Sequence, residues 1–455
     1  MKIFRAIKLL NSTFFDSNQS FLFRLMKNSS QAFKINRMRY IGIDFGTSNS
    51  LASLVKNNRI EFALYPDGNI SNPTILYFPA KSKRFFIGNQ AVEQYLVNLE
   101  EHGVGGRLML SIKTLLPDAK FDHTMVAGHG RLTSEDLVSK FLIKLKEMAE
   151  RQFSQTFDGV VLGRPVEFSE SAVSRLEKAA RIAGFQEVIF WLEPVAAAMA
   201  YEMTSTKNEL ICVVDIGGGT SDVCIIETSA ARSLSPDRLA DIKAVGGVNE
   251  AGDQLSALIM KHKLARRFGA GSTFVSLGQT LPFPSHLIYK LSKWHRINLL
   301  NNRGEKETLQ SIYPSSNRPE DVKRLLTLID NHYGFELFGA IDAAKRFLSE
   351  KEQATINFRP LDLNEEILRL EFEEMISATA LKIEKSILDA LTAASVTSAN
   401  INRVILTGGT SQVPMLNQSV IKIFGKEKIL RPDYFSSVAT GLGFVASRLN
   451  GKPSD

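Results

Sequence analysis

One short phrase occurs twice in this chain of 455 residues, and it restricts the fold more than any other feature. The first copy reads Ile43-Asp44-Phe45-Gly46-Thr47-Ser48-Asn49, the second Val214-Asp215-Ile216-Gly217-Gly218-Gly219-Thr220-Ser221-Asp222. Each has a β-rich run, an aspartate, a Gly-Thr-Ser tight turn and another β-rich run. Glycine lets backbone N–H groups come close to an anion, and a Thr or Ser hydroxyl adds a donor. An aspartate beside such a turn is poised to hold a hydrated Mg²⁺ against phosphate oxygens. Two such turns, 171 positions apart, predict a cleft with one phosphate loop on either wall.

The elements around the two turns follow the same order. After the first come β-like runs at Leu51–Val55, Ile60–Leu64 and Ile75–Phe78. A helix follows, with Ser134-Glu135-Asp136 as its capping sequence and Leu137, Phe141, Leu145 and Met148 on one face. Next are a strand over Gly159–Leu162 and a helix from about Ser169 to Gly184. In the second half, Leu210–Asp215 and Val223–Glu227 form a hairpin around the triple glycine, followed by Ile242–Val245. A helix over Asn249–Phe268, a strand over Val404–Thr407 and a helix after Pro414 complete it. The repeat is far longer than a solenoid period, so it predicts an α/β chain of two duplicated βββαβα lobes. Residues 40–208 form lobe I and 209–432 lobe II, with a helical insertion over about 269–363. Residues 433–450 form a C-terminal helix returning to lobe I.

Composition excludes several classes. Residues 1–39 hold eight basic side chains and a single acidic one, Asp16, while the rest carries equal numbers of each sign. The net charge of +7 therefore belongs to that segment, and nucleic-acid binding by the folded body is excluded. The segment is basic and lacks the apolar core of a secretory signal. It reads as an over-extended start before Met38, a targeting segment or a disordered tail. No apolar run is long enough to span a membrane. Cys212 and Cys224 are the only cysteines, which points to a reducing, cytoplasmic setting. They flank the second turn and read as two small buried residues, or as a pair facing each other across the hairpin.

A third glycine turn, Leu406-Thr407-Gly408-Gly409-Thr410-Ser411, follows a strand and opens a helix, aiming N–H groups at an anion. Between the halves lies Glu193-Pro194-Val195-Ala196-Ala197-Ala198, with proline suited to a first helical turn and alanines to close helix crossing. With Gly246-Gly247, Asp253 and Ala344-Lys345-Arg346-Phe347-Leu348-Ser349, these motifs carry a resemblance. From about residue 40 to 450 the chain resembles the actin-like ATPase superfamily. Within it, the chain is similar to the nucleotide-binding domain of the seventy-kilodalton heat-shock chaperones of DnaK type. Gly163-Arg164-Pro165-Val166 and the segment Phe435–Leu442 look most like the YegD-type branch.

The resemblance implies an ATP or ADP site with Mg²⁺. Asp44 and Asp215 would hold the metal through water. Gly46, Thr47, Ser48, Asn49, Gly217, Gly218, Gly219 and Thr220 would bind the β- and γ-phosphates. Glu193 and Asp222 would place the attacking water and shape the metal shell. Gly408, Gly409 and Thr410 would take the α-phosphate and ribose side, with Gly246 and Gly247 nearby. Lys345, Arg346 and Ser349 would hold adenosine, Arg346 stacking on the base, and Asp342 would meet a ribose hydroxyl. Gln412 and Asp433 complete the cofactor-binding set.

Three departures accompany the resemblance. Val92 aligns with the family's catalytic lysine, and Lys113 is an alternative source of that charge. Gln412 aligns with an arginine that stacks on adenine. After the last helix the chain reads Leu449-Asn450-Gly451-Lys452-Pro453-Ser454-Asp455, without the family's peptide-binding domain. The resulting expectation is a monomeric, chaperone-like, weak ATPase that changes lobe closure with nucleotide. Its partners are a nucleotide and an unidentified unfolded client or co-chaperone. A nucleotide-sensing pseudo-ATPase, an actin-like filament former and a small-molecule kinase of the same superfamily remain as alternatives.

Overall fold

The computed structural model describes residues 38–450, apart from 57–58, 81, 103–105, 206, 230–237, 295 and 432–435. The expectations for residues 1–37, and for Asp433, lie outside the described residues.

Two mixed sheets share one plan. In the first, Tyr40–Phe45 is central, with Gly159–Arg164 and then Glu187–Leu192 parallel on one side. On the other side Asn49–Lys56 is antiparallel to the central strand, and Arg59–Phe62 is antiparallel to Asn49–Lys56. In the second, Glu209–Ile216 is central, with Arg403–Thr407 and Ile429–Leu430 parallel on one side. On the other side Ser221–Thr228 is antiparallel to the central strand, and Ile242–Val248 is antiparallel to Ser221–Thr228. Each Asp-Gly-Thr turn joins the central strand to its antiparallel neighbour, so both turns stand at equivalent ends of equivalent sheets.

Strand alternation decides where the aspartates point. Ile41, Ile43 and Phe45 pack with Leu137, Phe141, Leu145 and Met148 of helix Ser134–Phe153 and with helix Glu170–Ile182. Gly42 and Asp44 must then face the opposite side. In the second sheet Cys212, Val214, Ile216, Val223 and Ile225 face a core that includes helix Arg369–Ala393. Asp215 and Asp222, directly paired across the hairpin, face away from it. Helix Glu193–Glu202 packs on strands of both sheets, and helix Ser437–Leu449 packs on it and on the first sheet. Small side chains make this layer thin: Ala196, Ala197 and Ala198 are fully buried.

Several expectations change. The run Ile75–Phe78 does not join the first main sheet. It centres a separate three-stranded sheet with Phe86–Ile87 and Arg107–Leu110. Its apolar, aromatic composition marks a strand but not a partner, and partner choice here is set by residues up to 110. The N-cap of Ser134–Phe153 is Thr133, one residue before the expected capping sequence, in a reciprocal capping box with Asp136. The helix expected from Asn249 starts at Gly252, because the Gly252 and Asp253 amides donate to Gly217 and Gly218 carbonyls. The insertion is not purely helical. Hairpins Thr273–Ser276 with Gln279–Pro282, and Gln353–Phe358 with Leu363–Leu368, flank its helices.

The cysteines do not face each other. Cys212 pairs with Ile225 and Cys224 with Val213, so alternation sends the two thiols to opposite faces of the sheet. Both are free and buried.

Candidate functional site

A cleft of about 380 Å³ opens where the turns of the two sheets approach each other. Its first wall carries Asp44, Gly46, Thr47, Ser48 and Asn49, and its second Asp215, Gly217, Gly218, Gly219 and Thr220. The turns are in contact across the gap. A β-carbon on Gly219 would lie 2.6 Å from Thr47 Oγ1, and one on Gly218 would overlap the Ser48 hydroxyl. Glycine at these positions is thus a requirement of close approach, set by the opposite half of the molecule.

Both turns are braced from behind. Thr74 Oγ1 donates to the Gly46 carbonyl at 2.8 Å, and the Thr74 amide donates to the Ser48 carbonyl at 2.8 Å. Thr410 Oγ1 donates to the Gly217 carbonyl at 2.7 Å, tying the third glycine turn to the second. Gly408 has φ +79, and a β-carbon there would lie 2.6 Å from Asp215 Oδ1. Position 408 therefore fits only glycine.

The far side of the cleft is built by helix Gly334–Leu348 with the residues just beyond it. Lys345 Nζ donates to Ser256 Oγ at 3.0 Å and pairs with Asp342 at 2.7 Å. Arg346 pairs with Asp342 at 3.1 Å and is largely exposed, its flat guanidinium beside the opening. Ser349, Gly409, Thr410 and Gln412 line the same side.

The floor is acidic. Asp44, Glu193 and Asp215 line it, with Asp222 just behind, accepting the Val166 amide at 2.7 Å. Burial pushes the Asp44 carboxyl up to about 7, the nearby Glu193 adds to this, and Lys113 opposes it. Asp222 is raised to about 7 by burial and then Glu193, against the Val166 amide, Thr220 and Lys113. Asp215 is raised well above the carboxylate range by burial, then by Glu193, Asp222 and Asp44. A concentration of buried acid is stabilised by a cation, which the site would offer to a hydrated metal.

Most sequence-selected residues come together here. Gly246 and Gly247 do not line the cleft. They lie in strand Ile242–Val248 beside Val223 and Asp222, where a β-carbon on Gly247 would crowd Ser221 and Asp222. Val92 does not line it either. It sits on helix Gly88–His102 and packs against the apolar cluster of Ile75, Tyr77, Tyr95 and Leu110.

Other residues enter from outside the expected catalytic and cofactor-binding set. Lys113 lines the cleft and pairs with Glu193 at 2.7 Å. Ser111 Oγ lies 3.3 Å from both the Thr47 carbonyl and Asp253 Oδ2, which share its single proton, and Trp294 Nε1 donates to Asp253 at 3.1 Å. Burial raises Asp253 to about 6, opposed by Lys345 first. Arg164 is buried in the field of Glu193 and Asp222. Asp253 carries a signal in its pairing with Gly246-Gly247, whereas Ser111 lies in a segment without periodicity or a glycine turn, and Trp294 lies in the helical insertion, where periodicity marks a helix and not a contact with Asp253.

A family model described as Hsp70 protein matches residues 40–232 and 330–455. The two matched stretches contain all three glycine turns, the Glu193 connector and helix Gly334–Leu348. The remaining stretch between them holds the Asp253 segment and most of the helical insertion. The chain belongs to the Hsp70 family and carries its two-lobed actin-like ATPase fold.

Proposed function

We propose that the cleft binds Mg·ATP between the two sheets and hydrolyses it slowly, coupling nucleotide state to lobe closure. The observation that carries this reading is the contact of the two Asp-Gly-Thr turns across the gap, Gly219 against Thr47 and Gly218 against Ser48. A phosphate chain entering there would be gripped from both sheets at once, so its loss or retention would change how the sheets meet. Lobe I spans 40–208 and lobe II 209–432, with the helical insertion capping lobe II.

The donor set fits a hydrated hard cation. Among the described residues no three His, Cys, Asp or Glu side chains converge to ligate a metal directly. Asp44 and Asp215 would hold it through water, and it would supply charge neutralisation at the β- and γ-phosphate oxygens. Gly46–Asn49 and Gly217–Thr220 supply phosphate donors, Gly408–Thr410 meet the α-phosphate side, and Asp342, Lys345, Arg346 and Ser349 hold the nucleoside. Glu193 and Asp222 orient the attacking water. Its oxygen bonds to the γ-phosphorus as the bond to the bridging oxygen breaks, ADP leaves with the electron pair, and the proton ends on inorganic phosphate or solvent.

The Gly163–Val166 segment, which brings Arg164 and the Val166 amide to the acidic floor, supports the YegD-like branch. A second reading, a nucleotide sensor without turnover, is favoured by Val92 lying in an apolar cluster. Single-turnover ATP hydrolysis with and without an unfolded polypeptide separates the two. Release of phosphate from bound ATP supports the ATPase, acceleration by the polypeptide supports a chaperone-like role, and bound ATP that stays intact supports the sensor.

A further inference from the structure

The cleft has a cation on its wall, and it arrives from a segment that the glycine turns do not predict. Lys113 sits on the short helical turn Ile112–Leu115 that follows strand Arg107–Leu110. Its ammonium is buried, 2.7 Å from Glu193 Oε1 and 5.6 Å from the centre of the Phe168 ring. The same side chain shares the cleft wall with Asp44, Thr47 and Asp215.

The backbone leading to Lys113 is set for this purpose. Ser111 adopts a left-handed conformation, φ 46, which costs free energy in a residue with a β-carbon. That conformation lets Ser111 Oγ donate to the Thr47 carbonyl, and its own carbonyl accept from Thr114 Oγ1 at 2.8 Å. The lysine is thereby tied to the first phosphate turn, two residues from the point of attachment. A long flexible cation held this way keeps its ammonium near the turn rather than in solvent.

Arg164 is the competing buried cation. Its guanidinium contacts the neighbouring Pro165 carbonyl, and it does not share the cleft wall. Lys113 does, and an ammonium has three donors of which Glu193 occupies one.

We propose that Lys113 is the phosphoryl-facing cation of this site, holding Glu193 with one donor and turning the others to γ-phosphate oxygens during transfer. This rests on the Mg·ATP reading above and deepens it. The charge that a lysine at position 92 would bring from helix Gly88–His102, after edge strand Phe86–Ile87, comes here from the opposite edge of the small sheet, after Arg107–Leu110. Charge developing on the transferring group is then met by a fixed cation in a low-dielectric site.

The test uses the full chain with Lys113→Gln, which retains a donor for Glu193, and Lys113→Met, which does not. Affinity for ADP with Mg²⁺, its enhancement by aluminium fluoride as a transition-state mimic, and the single-turnover rate are measured. In Lys113→Gln, ADP affinity stays within about threefold, while the rate falls about 10²–10³-fold and the fluoride enhancement is lost. The loss of enhancement persists in a Glu193→Gln background if the ammonium meets the phosphoryl group itself. Unchanged rate and enhancement in Lys113→Gln, or a loss confined to chains that retain Glu193, overturns the assignment. An unmodified chain that fails to bind Mg·ATP overturns the cleft reading and Lys113 with it.

Discussion

Gly42 and Gly443 meet backbone to backbone, and a β-carbon on Gly42 would lie 2.8 Å from Gly443 Cα. Helix Ser437–Leu449 therefore rests on the central strand of the first sheet, on the Asp44 face, with no side chain between. Gly441 makes the same kind of approach to Ala196 of the Glu193 helix, and Ser53 Oγ donates to the Ala439 carbonyl at 2.5 Å.

The close approach predicts that Gly42→Ala lowers stability by about 1–3 kcal/mol, since the helix must lift to admit a methyl group. Urea unfolding followed by circular dichroism measures this, and a change below about 0.5 kcal/mol would show that the layer yields.

Gly218 and Gly219 meet side chains of the opposite turn, so their substitution tests the gap more than the fold. Gly218→Ala should weaken Mg·ATP binding by about tenfold or more, with little change in melting temperature. Calorimetric titration beside a thermal melt separates the two effects. Equal affinity in the variant would mean that the turns move apart freely.

Asp253 gives a pH dependence of known sign. Its folded-state pKa is raised from 3.8 to about 6, mainly by burial. The protonated form is thus preferred by the folded chain, a stabilisation fully present below about 3.8 and lost as pH rises through about 6. Asp253→Asn leaves an oxygen to accept from Trp294 and Ser111 and removes the titration. It should be more stable than the unmodified chain above pH 6, by an amount on the order of 2–3 kcal/mol, and the advantage should shrink toward pH 4. Denaturation across that range checks it, and a pH-independent difference would contradict it.

The two thiols face opposite sides of the second sheet with no access to solvent or to each other. Burial raises the Cys212 thiol to about 12, with Cys224 higher still, which suppresses the reactive thiolate. A thiol reagent should label neither residue in the native protein and both in denaturant. A mild oxidant should leave the mass and mobility unchanged. Rapid native labelling or an internal disulfide would refute the observed register.

Legibility in the sequence followed the range of the signal. The three glycine turns were legible because each is a local phrase whose residues are demanded by one tight backbone path, as at Gly408. The helix over Ser134–Phe153 was legible because its apolar spacing is periodic. The composition of Ile75–Phe78 marks a strand, but its partners lie at residues 86–87 and 107–110, and composition does not encode a choice of neighbour. The hairpin register of Cys212 and Cys224 escaped because one position of offset reverses the face and leaves the pattern of residue types unchanged. The sequence offers Lys113 as a source of charge, but its reach depends on the left-handed Ser111, a conformation that serine rarely adopts and no motif announces.

The two-walled cleft stands or falls on a single comparison. Equilibrium binding of ATP with and without Mg²⁺ is measured for the unmodified chain, Asp44→Ala and Asp215→Ala. Each substitution should lower metal-dependent affinity by about tenfold or more, because each removes one water-mediated hold on the ion, while ATP without Mg²⁺ binds about equally to all three. Unchanged Mg·ATP affinity in both variants would contradict the cleft as the nucleotide site.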